Sequence, residues 1–120
     1  TEADWLHAEH VAPMPTHPGA RGVIDDHLDT LKLTRLISTR CAHFGLIPGM
    51  VASSLLVLTT GRQYCERFVG QLPVVVVAPP IEFPRMMYYQ LWHPRTHGSN
   101  AGRWLRDQIK TVAASLRKQP

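Results

Sequence analysis

Leu55-Leu56-Val57-Leu58-Thr59 and Pro73-Val74-Val75-Val76-Val77-Ala78 are apolar runs in which no polar residue alternates with the hydrophobic ones. Strands covered on both faces of a parallel sheet have this pattern, whereas half-buried strands alternate. Between the runs, Arg62 to Val69 predicts a short helix with Cys65, Phe68 and Val69 on one side and Gly70 as its stop. Strand, helix and strand in succession imply an α/β fold with right-handed crossovers.

Towards the amino end the same alternation continues. Arg35 to Cys41 is short and carries branched Ile37 and Thr39, which suits a strand. Proline is tolerated in a first helical turn, so a helix is expected from about Pro48 to Ser53, with His43-Phe44-Gly45 as the loop at its entrance. Within Gly22 to Leu31, Ile24, Leu28 and Leu31 recur at helical spacing, and Asp25 and Asp26 complement the dipole of the first turn. A polar opening, a strand over His10 to Met14 and the Pro- and Gly-bearing loop Pro15 to Ala20 precede it.

Towards the carboxyl end, the proline-studded link Ala78 to Pro84 leads to an expected strand at Met86 to Trp92 and a helix from about Asn100 to Leu116. Ser99 is the expected N-cap, and Ala101, Leu105, Ile109, Val112 and Leu116 form an apolar stripe with little in the chain to cover it. The uncovered stripe, together with Thr1 in place of Met, suggests a piece of a longer chain.

With 120 residues, 44% hydrophobic and 18% charged, the chain fits one soluble globular domain. Its apolar runs are far shorter than the roughly 20 residues a membrane helix needs. Two cysteines, Cys41 and Cys65, are too few for a disulfide scaffold and suit reduced thiols in a cytoplasmic protein. The net charge of +4 comes with scattered arginines rather than a basic run, which argues against nucleic-acid contact by this segment.

The order of short motifs resembles the effector-binding domain of LysR-type transcription regulators, particularly the branch responsive to small aromatic acids. The motifs are His10-Val11, Gly22-Val23-Ile24-Asp25, His43-Phe44, Ser53-Ser54 leading into Leu56-Val57-Leu58-Thr59, and Pro79-Pro80. Leu91-Trp92-His93-Pro94-Arg95 followed by Arg103-Trp104-Leu105-Arg106 completes the series, and together they cover nearly the whole chain. The chain departs from the family pattern where Ser54 runs directly into Leu55 without an acidic residue, and where Ala42 replaces a proline before His43.

The resemblance implies part of a type 2 periplasmic-binding-protein-like domain. Residues 1–84 would form the second lobe, and residues 85–120 the strand and helix that return to the first lobe. The effector would lie between lobes, behind a winged helix-turn-helix outside this chain, and DNA would be bound only through that missing part. A cytoplasmic homo-oligomer with no cofactor, no metal, no membrane contact and no catalytic residues is the corresponding expectation. A solute-binding protein or a small α/β enzyme on the same fold is the alternative, because fold does not fix function.

Ligands of open α/β sheets gather beyond the carboxyl ends of strands. His43, His10, Phe44 and Thr16 fall in or beside such positions, and Trp92 offers an apolar wall, so these five are the candidate effector-binding residues. The competing reading for each is a satisfied structural histidine or a packed aromatic, and it weighs least against His43. His7, His10 and His17 lack a convincing spacing for metal. Cys41 with His43 lacks the third, orienting group of an activated nucleophile, and the neighbours Asp25 and Asp26 point about 100 degrees apart on a helix. Arg103, Arg106 and Lys110 share one side of the last helix as a phosphate-binding ridge or, more simply, a solvated face.

Overall fold

The computed structural model describes residues 1–116. The chain divides into two compact units, Thr1–Arg85 and Met86–Pro120.

The first unit opens with helix α1 (Glu2–His7). Thr1 accepts from the Asp4 N–H while the Asp4 carboxylate receives the Thr1 hydroxyl and amino groups, a capping box that closes the first turn. The expected polar opening is thus a helical turn, and Thr1 and Asp4 stand at the spacing of that motif. Strand β1 (Glu9–Pro13) and strand β2 (Leu36–Cys41) pair in parallel, with a register irregularity between His10 and Val11. Helix α2 (Val23–Thr30) lies in the crossover between them.

On its other side β1 bonds to Val57, which donates to Glu9 and accepts from Val11. Flanked on both sides, β1 buries His10, Val11 and Ala12. Ile47 at the start of α3 (Ile47–Ala52), Leu28 of α2 and Ile81 complete the buried apolar set. A one-turn 3-10 helix, Phe44–Leu46, leads into α3, and Pro48 occupies the first turn where its missing N–H is harmless.

The C-terminus of α2 closes with paired bonds, Leu33 N–H to Leu28 C=O and Lys32 N–H to Asp29 C=O. This is a Schellman arrangement with Lys32, at φ 56°, in the left-handed position usually given to glycine.

Two expectations need correction here. Leu55 to Thr59 contributes one bridging residue, Val57, rather than a strand, and Leu55 is 97% exposed. Pro73 to Ala78 alternates between half-buried Val74 and Val76 and exposed Val75 and Val77, so one side only is covered. No strand pairs with it among the described residues, and without a ladder partner an extended run is not a sheet strand. Helix α4 (Arg62–Glu66) is shorter than expected, and the chain turns through Phe68 to Gly70 at φ 82°.

In the second unit, Met86 to Trp92 likewise has no ladder partner among the described residues. Gln90 instead donates its side-chain amide to the Arg106 carbonyl. Helix α5 (Asn100–Leu116) begins where expected, with the Ser99 hydroxyl accepting from the Gly102 N–H at 3.2 Å. Its stripe is solvent-facing, Leu105, Ile109, Val112 and Leu116 being 42% to 57% exposed.

Candidate functional site

Parallel strands release their following loops at the same end of a sheet, and in this chain those of β1 and β2 start side by side. Pro13 pairs with Cys41, Met14 N–H donates to the Cys41 carbonyl at 2.9 Å, and Arg40 Nη1 donates to the Pro13 carbonyl at 3.2 Å.

Thr16 stands exposed in the loop after β1, which folds back through an Ala20 N–H to His17 carbonyl bond and Gly19 at φ 81°. His43 stands exposed after β2. Its carbonyl receives the Leu46 N–H at 3.0 Å and the Cys41 thiol at 3.3 Å, so the backbone is fixed while the imidazole faces water.

The Phe44 ring packs against Tyr64, centroids 4.5 Å apart, and the Tyr64 hydroxyl donates to the Phe44 carbonyl at 3.0 Å. Phe68 adds an edge contact to Tyr64 at 5.2 Å. Burial raises the Tyr64 pKa above its ordinary value. Thr16, His43 and Phe44 are therefore carried by loops that leave one sheet end.

His10 is not at that end. It lies near the start of β1, fully buried, with its ring edge-on to Trp5 at 4.7 Å. Because a carbonyl can only accept, the 2.7 Å contact between Nε2 and the Trp5 oxygen puts the proton on Nε2. Nδ1 is left without a partner. Burial is the main cause that lowers the His10 pKa, with the Trp5 bond opposing and Arg35 reinforcing it. The expectation of His10 as an effector contact is corrected to a core residue: a fully buried ring closed over by Trp5 has no face to offer a ligand.

Trp92 belongs to the second unit. Its indole N–H donates to His97 Nδ1 at 3.2 Å, and the Arg106 guanidinium lies 4.6 Å from its ring centroid. The apolar wall expected there is a cation-π platform already occupied by Arg106.

Sequence reading missed two features. Tyr64 anchors Phe44 across a separation that no local pattern reveals. A cleft of about 200 Å3 is lined by Arg21, Arg35 and Arg40 with Asp25 as its one acidic residue. Arg35 is buried, bonded through Nε to Asp25, and its Nη1 has no partner. Among the described residues no three His, Cys, Asp or Glu side chains gather as a metal ion would require, and no helix is long and apolar enough to cross a membrane.

No family model matches the chain. Over 65 residues it is 37% identical to the HTH-type transcriptional regulator SyrM 1 of Sinorhizobium fredii. The match takes in 54% of this chain and spans only 19% of that protein.

Proposed function

We propose that this chain is the effector-sensing part of a LysR-type transcription regulator, built as the second lobe of a type 2 periplasmic-binding-protein-like domain followed by the segment that returns to the first lobe. The observation that carries the reading is the similarity to an HTH-type transcriptional regulator. The common sheet end from which the Thr16 loop and the His43-Phe44 loop depart supports it, since that is where α/β sheets hold ligands.

In this reading a small carboxylate, aromatic in the favoured case, sits between lobes. The His43 imidazole and Thr16 hydroxyl supply hydrogen bonds and the edge of Phe44 an apolar surface. The protein works in the cytoplasm as a homo-oligomer and catalyses nothing. The effector acts by population shift, and so must bind one arrangement of lobes or subunits better than the other. DNA specificity resides in a helix-turn-helix domain outside this chain.

The test is a panel of benzoate-like acids titrated by calorimetry into the full-length regulator and its His43→Ala and Thr16→Ala variants, with operator binding measured in parallel. The variants are expected to lose effector response by 10-fold or more, about 1.4 kcal/mol, while holding DNA affinity. An unaltered effector response in both variants removes the site.

A further inference from the structure

The charge of the chain is not evenly shared. Of thirteen Lys and Arg, six (Arg95, Arg103, Arg106, Lys110, Arg117 and Lys118) fall in the second unit, against one acidic residue, Asp107, of nine. The first unit keeps seven basic against eight acidic residues, so the whole positive balance belongs to the second. Every ion pair among the described residues lies in Thr1–Arg85. Among the described residues the basic side chains of α5 have no carboxylate partner.

Arg103, Arg106 and Lys110 recur at i, i+3 and i+7 and line one open cleft of about 290 Å3 with Trp92, His97 and Asp107. Arg106 is held in place, its guanidinium over Trp92 and its Nη2 donating to the His97 carbonyl at 3.0 Å. His97 Nδ1 accepts the Trp92 indole proton, so the neutral ring carries its own proton on Nε2 as a further donor.

We infer that this face of α5 is a docking surface for the phosphate backbone of duplex DNA, read without regard to base sequence. Charge is the argument for phosphate: a row of cations along one helix face is complementary to a polymer of regularly repeated negative charge rather than to scattered carboxylates. Arg103 and Lys110 lie about 10 Å apart along the helix axis at roughly 1.5 Å per residue, a row of cations facing a polymer that carries a negative charge about every 1.7 Å of duplex axis. The surface lies wholly in the second unit, whereas Thr16, His43 and Phe44 belong to the first.

The test is fluorescence anisotropy of the chain with a labelled duplex of arbitrary sequence between about 50 and 200 mM salt, the range over which phosphate contacts are most visible. Arg106 is left intact because it packs on Trp92. Arg103→Gln with Lys110→Gln removes two exposed charges and should reduce the slope of log K against log salt by about 1.8, at about 0.9 per phosphate contact. Arg62→Gln with Arg67→Gln removes two charges from the first unit and should leave the slope as it was. Three results would each overturn the inference: no duplex binding at 50 mM salt, equal losses in the two double variants, or tighter binding to polyglutamate than to duplex. Loss of effector response with DNA binding unaltered would concern the sensing site alone.

Discussion

Arg35 Nε lies 2.8 Å from Asp25 Oδ1, with the two side chains 4% and 14% exposed, so a nearly dry ion pair joins the first turn of α2 to the residue preceding β2. Breaking one half of such a pair costs far more than replacing both halves, because the remaining charge stays buried. Arg35→Met is expected to destabilise the chain by about 3 kcal/mol. Adding Asp25→Leu to it should recover much of that loss. Urea denaturation of the two single variants and the double variant gives the coupling, and additive losses would show that the pair does not act as a unit.

Lys32 sits at φ 56° with Leu33 N–H and Lys32 N–H closing the end of α2. A side chain in the left-handed region clashes with its own backbone, whereas glycine does not. Lys32→Gly should raise the melting temperature, by an amount corresponding to a gain of up to about 1 kcal/mol. An unchanged or lower melting temperature would mean that the loss of chain stiffness in the unfolded state outweighs the relief.

His10 makes stability depend on pH in a direction that follows from its burial. Its folded pKa lies below the ordinary 6.5, chiefly because burial disfavours the charged ring, with the Trp5 carbonyl bond and Asp25 opposing and Arg35 adding to the shift. The unfolded chain therefore takes up this proton first as pH falls. Stability is complete above 6.5 and is lost as pH drops through 6.5 towards the lowered folded value. The difference in melting temperature between the native chain and His10→Phe should shrink from pH 7.5 to pH 5.5. A difference that stays constant over this range would place the acid sensitivity elsewhere.

What the sequence made legible was local. The α2 helix, the Ser99 cap and the α5 stripe depend on residues within a few positions of one another and appear where the spacing puts them, except that Leu31, expected on the α2 stripe, follows the helix and is exposed. Pairing was harder to read, because a run such as Pro73 to Ala78 specifies extended backbone but not the neighbour that would make it a strand. His10 shows the same limit at the candidate site. Its place on β1 is legible, yet the side on which Trp5 closes over it depends on α1, a six-residue helix with no buried residue and so no apolar stripe to mark it. Tyr64 and Arg35 act through partners brought near by the fold, and no motif announces them.

The four valines from Val74 to Val77 carry a hazard for the chain as a material. An extended, uncharged, branched segment with no strand partner among the described residues is a template for intermolecular strand stacking of the kind that nucleates amyloid. Pro73 before it and Pro79 and Pro80 after it cannot donate to such a stack, and so act as gatekeepers confining any growing strand to the residues between them.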